Sequence, residues 1–158
     1  MKKRVVYVNG NFVDEDKAKV SVFDRGFLFA DAVYEVTAVI DGKILEWGGH
    51  VKRLERSLKE LDMKFPISET ELLDIHFDLI KKNTLKEGLI YLQVTRGEDD
   101  RSFDYPDESV KPTLVLFTQV KSLAESNIAK TGLKVISVPD MRWGRRDIKT
   151  VQLLAPSM

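Results

Sequence analysis

Two dipeptides constrain the fold of this chain more than any other feature: Asn9-Gly10 and Asp41-Gly42, each set between extended apolar runs. Such pairs supply the positive φ angles of a type I′ turn, whose twist matches two flanking antiparallel strands. Val5-Val6-Tyr7-Val8 is therefore expected to pair with Asn11-Phe12-Val13. A second strand, Val33 to Ile40, turns at Asp41-Gly42 into an extended Lys43 to Trp47. Leu89 to Gly97 and Thr113 to Val120 carry strand patterns of their own, and Val20-Ser21-Val22 a shorter extended one.

Helical spacing lies between these strands. After Gly48-Gly49, the residues Val51, Leu54, Leu58 and Leu61 form one apolar stripe. Ser68-Glu69-Thr70-Glu71 is a capping box and opens a helix over about Glu69 to Asn83. Its inward face is Leu72, Leu73, His76, Phe77, Leu79 and Ile80, which makes His76 a packed histidine and not a ligand. His50 and His76 are far apart and show no metal spacing, so no metal site is expected.

The 158 residues suffice for one ordinary domain, or for one and the start of another. Lys plus Arg equals Asp plus Glu, at 25 each, so no global field favours nucleic acid or an anionic membrane. The absence of cysteine removes disulfides, thiolate catalysis and Cys-based zinc together. Met1-Lys2-Lys3-Arg4 imitates the start of a signal peptide, but only Val5 to Val8 follow before Asn9-Gly10. No run approaches the length of a membrane span, so a soluble cytoplasmic protein is expected.

Chemistry concentrates near the C-terminal end. Lys149 follows Asp147-Ile148 and precedes the apolar Val151-Gln152-Leu153-Leu154, with Arg142, Trp143, Arg145 and Arg146 just upstream. A lysine beside other cations gives up its proton more readily and can present the neutral amine that a Schiff base needs. A solvated basic turn before a short helix is the plain alternative.

The run Arg145-Arg146-Asp147-Ile148-Lys149-Thr150, then Gln152-Leu153-Leu154, resembles the active-site segment of fold-type IV pyridoxal phosphate (PLP) enzymes. Within that group it is most similar to the D-amino-acid aminotransferases. Asp24-Arg25-Gly26 before an aromatic, Val33-Tyr34-Glu35-Val36, His50-Val51-Lys52-Arg53-Leu54 and Val94-Thr95-Arg96-Gly97 extend the resemblance along the whole chain. It implies that Lys149 holds PLP covalently and serves as general base and acid, while Arg53 binds the phosphate. An arginine suits that task because its planar fork donates two hydrogen bonds at once. Tyr34 and Arg101 would orient the substrate α-carboxylate, in part across a homodimer interface. Phe103 stands where the family has a histidine, which removes one donor from that carboxylate site.

The implied fold is α+β. A small N-terminal domain, residues 1–120, would carry an antiparallel sheet and two helices, followed by a linker over 121–132. Residues 133–158 would begin a larger α/β PLP-binding domain with a strand at Leu133 to Val138 and a helix from Val151 to Leu154. The family is nearly twice this long, so the chain reads as its N-terminal portion, expected to be inactive alone and poorly anchored, or paired with another chain, after about Ala124. The implied reaction of the parent is D-alanine plus 2-oxoglutarate giving pyruvate and D-glutamate. Branched-chain transamination, aminodeoxychorismate lyase chemistry and a non-catalytic dimerisation domain are the alternatives.

Overall fold

A computed structural model describes residues 3–139 and 144–157. Strand β1 (Val5–Val8) turns into β2 (Asn11–Asp14) through Asn9 and Gly10 at φ of 44° and 91°, the left-handed pair that the sequence demanded. A short helix α1 (Arg25–Phe29) leads into β3 (Ala32–Ile40). That strand turns at Asp41 and Gly42, again both at positive φ, into the two-residue β4 (Lys43–Ile44). Helices α2 (Trp47–Glu60) and α3 (Glu69–Asn83) follow, then β5 (Gly88–Thr95), β6 (Thr113–Val120), and the short helices α4 (Asn127–Thr131) and α5 (Leu154–Ser157).

The strands form one sheet in the order β2-β1-β6-β5-β3-β4, antiparallel at every pairing. Its centre is the register of β5, which pairs with β3 from Ala32↔Thr95 to Val39↔Gly88 and with β6 from Gly88↔Val120 to Thr95↔Thr113. Alternation along β3 sends Val33, Glu35, Thr37 and Val39 to one face, where all are buried. Leu54 and Leu58 of α2 and Leu72, Ile75 and Leu79 of α3 close on that face with Ile90, Leu92, Val94 and Leu116. Burying a side chain of the size of Leu79 stabilises a fold by about 1.5–3 kcal/mol. Helix α3 starts where the capping box put it, with Glu71 N–H donating to Ser68 Oγ at 3.2 Å. The other face, which carries Tyr34, Val36, Tyr91, Gln93, Val115 and Phe117, is only half-buried.

Several local expectations differ. Leu133 to Val138 forms no strand and is exposed throughout, and Val20 to Val22 is a loop. Helix α2 begins at Trp47, so Gly48 and Gly49 lie inside its first turn. Glu46 precedes it in the left-handed conformation, which ends β4 after two residues. The terminal helix starts at Leu154, three residues later than the apolar run suggests.

Candidate active site

Lys149 lies against the free edge of β3. Tyr34 N–H donates to Lys149 O at 3.0 Å, Val151 N–H donates to Ala32 O at 3.2 Å, and Val33 forms a bridge with Thr150. This short extension of the sheet obeys the strand alternation. Ile148 and Thr150 turn into the buried side and Lys149 to the open one. Its Nζ lies 4.0 Å from the centroid of the Tyr34 ring. Among the described residues no carboxylate pairs with that amine. Of the upstream cations, Arg142 lies outside the described residues, as does Trp143. Arg145 faces carboxylates instead of the lysine: Glu60 at 2.6 Å and Asp147 at 2.9 Å. The described neighbour that Lys149 meets is an aromatic face.

One residue further along β3, Glu35 points to the opposite face and is buried there. Arg53 approaches it from α2 with both arms of its fork, Nε to Oε1 and Nη2 to Oε2, each at 2.6 Å. His50, one helical turn earlier, places Nδ1 2.7 Å from the same Oε2. Since a carboxylate only accepts, that nitrogen carries the hydrogen. The hydrogen bonds to Glu35 hold the Arg53 guanidinium above its ordinary range despite partial burial. The Nη1 edge of Arg53 has no partner among the described residues, and the side chain is 45% exposed. Lys149 thus presents its amine on the open face of β3, and Arg53 a guanidinium with one open edge on the other.

Arg101 sits apart from both groups, on the loop between β5 and β6. Its guanidinium lies over Phe29 at 5.3 Å and Phe103 at 5.4 Å, and Phe103 is 85% exposed. The loop is tied down by a buried ion cluster. Arg25 Nη1 donates to Ser102 O and Asp104 O at 2.9 and 3.1 Å, and its Nε donates to Asp31 Oδ2 at 2.9 Å. Arg96 grips the same Asp31 through Nε at 2.7 Å and Nη2 at 3.1 Å, donates to Leu61 O at 2.8 Å and covers the Tyr105 ring at 4.2 Å. Two glycines permit this packing. A Cβ on Gly26 would lie 2.4 Å from Thr95 Cγ2, and Gly97, at φ 107°, would place one 2.2 Å from Lys111 O.

The amino-transferase class IV family model matches residues 32–158, a span that contains Tyr34, Arg53, Arg101 and Lys149. This chain belongs to the class IV aminotransferases. It is 36% identical over 149 residues to the D-alanine aminotransferase of Staphylococcus haemolyticus, covering 94% of this chain and 52% of that protein. The chain thus spans about half the length of the curated relatives it matches. Its fold is that of the branched-chain amino acid aminotransferase of Escherichia coli (TM-score 0.72, 21% identity, 81% of this chain and 43% of that one). The same fold recurs in the branched-chain aminotransferase of the archaeon Thermoproteus uzoniensis, solved with norvaline (TM-score 0.66, 20% identity, 76% and 41%).

For this class IV aminotransferase chain, the sequence pointed to Lys149, Tyr34, Arg53 and Arg101, and the structure brings the first two into contact. Arg53 reaches the same stretch of β3 from its other face, and Arg101 stays on the loop. The roles of Glu35 and His50 as partners of Arg53 were missed. The signals were present: His50 and Arg53 are one turn apart on a helix, and Glu35 is a carboxylate at an inward position of a strand, the one charged residue among Val33, Thr37 and Val39 on that face.

Proposed function

We propose that this chain carries the lysine half of a PLP-dependent D-amino-acid transaminase, whose reaction is D-alanine plus 2-oxoglutarate to pyruvate plus D-glutamate. The observation that supports this most is Lys149 Nζ: unpaired by any described carboxylate and seated 4.0 Å from the Tyr34 ring. The D-alanine aminotransferase relatives support the choice of substrate over branched-chain amino acids or aminodeoxychorismate. Bound PLP would supply an electron sink that weakens the substrate Cα–H bond. Lys149 would hold the cofactor and move the proton at its Nζ. Arg53 would offer its Nη1 edge to the phosphate while Glu35 keeps the plane of the guanidinium fixed. The Tyr34 hydroxyl and the Arg101 guanidinium would orient the α-carboxylate, with Phe103 giving that site an apolar wall in place of a donor. A homodimer and a cytoplasmic location go with this reading. Among the described residues no helix is long and apolar enough to cross a membrane.

We also propose that these 158 residues turn over negligibly alone. Lys149 is only half-buried, and a site open to solvent lets water compete with the amine. The test is covalent capture. The chain is incubated with PLP, reduced with borohydride and mapped by peptide mass. Label at Lys149, lost in Lys149→Ala, is expected; label spread evenly over the surface lysines would sink the reading. Amino-donor assays on the full-length protein, D-alanine against leucine, then decide the substrate.

A further inference from the structure

An aromatic ladder crosses the open face of the sheet and ends on Lys149. The Tyr34 and Tyr91 rings lie 5.7 Å apart at 19°, and the Tyr91 and Phe117 rings 4.9 Å apart at 23°. The sheet register makes this possible. Tyr91 is directly opposite Phe117 and, because it faces Val36, diagonal to Tyr34. A cation terminates each end, with Lys149 Nζ 4.0 Å from the Tyr34 centroid and the Arg4 guanidinium 5.9 Å from that of Phe117. The Tyr91 hydroxyl donates to Gln93 Oε1 at 2.9 Å. Burial pushes the Tyr91 phenol up to about 12, so it stays neutral and exchanges no proton at working pH.

We propose that Tyr91 is a positioning residue: stacked between Phe117 and Tyr34, it holds the Tyr34 ring flat as the seat of the Lys149 amine. The inference rests on the transaminase reading for its use, since a lysine that gives up its cofactor to a substrate needs a defined resting place close by. It does not rest on that reading for its geometry. A ring face is suited to that seat because its quadrupole attracts the ammonium without capturing the proton, as a carboxylate would. The Tyr34 side chain then has two uses, its face for the lysine and its hydroxyl for the substrate. Without Tyr91 behind it, the Tyr34 ring would be free to tilt, and the amine would lose its fixed starting point.

The readout is the ring-current shift of the Lys149 ε-methylene protons, followed by NMR on the 158-residue chain without cofactor. The wild-type resonance is expected upfield of the other lysines, and Tyr34→Leu is expected to return it to the common position. Tyr91→Leu should lose most of the upfield shift, whereas Tyr91→Phe, which keeps the ring and drops the hydroxyl, should retain it. In the full-length protein Tyr91→Leu should lower kcat roughly threefold to tenfold with KM nearly unchanged, rescued by Tyr91→Phe. A Lys149 shift that survives Tyr91→Leu in a folded variant would overturn the proposal. So would an ordinary wild-type shift. Failure of borohydride capture at Lys149 with the shifts as expected would instead count against the transaminase reading alone.

Discussion

Thr113 to Val120 and Leu133 to Val138 look alike in sequence, both short runs dominated by aliphatic residues with a few polar ones. Their fates differ completely. The first is β6, with β5 on one side and β1 on the other, and its Leu116 is fully buried. The second is no strand at all, with Val135 84% and Ile136 87% exposed. A strand pattern records a preference for a half-buried pleated surface, and it becomes a strand only where neighbours supply hydrogen bonds and a face to pack on. Lys149, further along the same tail, is placed for that same reason. The free edge of β3 offers Ala32 O and the Tyr34 N–H, and residues 149–151 take them.

The contrast can be attacked first at the cluster that ties the β5–β6 loop to the sheet. Asp31→Ala would leave the guanidinium groups of Arg25 and Arg96 buried without their shared partner, with Asp24 already engaged by Gly26 N–H and Thr95 Oγ1. A loss of about 3–5 kcal/mol in urea unfolding is expected, with proteolysis between residues 98 and 111 appearing first. Next in size, Leu79→Ala in the core should cost about 2–5 kcal/mol; a cost comparable to that of an exposed site would erase the distinction between the regions.

The third effect depends on pH. Burial lowers the His76 pKa from 6.5 to about 4, while its Nδ1–H donates to Leu72 O at 2.8 Å. The unfolded state therefore takes up a proton first as pH falls below 6.5, and stability is lost progressively down to pH 4, by about 3 kcal/mol. Below that the folded state protonates too and the loss levels off. Comparing wild type with His76→Gln across this window separates the histidine from the carboxylates, and parallel curves would show that His76 is not the cause. Smallest of all, Ile136→Ser should change stability by less than about 0.5 kcal/mol, because the side chain touches solvent. A larger loss would mean that residues 133–138 are held by something.

Much of the fold was legible because it is local. Asn9-Gly10 and Asp41-Gly42 each require positive φ, Ser68 with Glu71 marks the α3 start, and apolar spacing finds the inward face of α2 and most of that of α3, where Ile75 is buried and Phe77, expected inward, is 50% exposed. The candidate site was legible only in parts. Lys149, Arg53 and Tyr34 came forward through their motifs, but Glu35 as the anchor of Arg53 did not. Their bond joins a strand to a helix across eighteen positions of sequence, and no local pattern records it. The strand expected at Leu133 failed because hydrophobic alternation says nothing about a partner.

By itself the sequence determined the two hairpin turns and the start of α3, and it singled out Lys149, since each of these depends on a residue type and its near neighbours. The tertiary structure alone decided which strands pair in the order β2-β1-β6-β5-β3-β4, that the Tyr34 ring meets Lys149, and that Arg53 shares Glu35 with His50. Those contacts join residues far apart along the chain. Their energies depend on distances that only the closed core, with α2 and α3 packed on one face of the sheet, brings within bonding range.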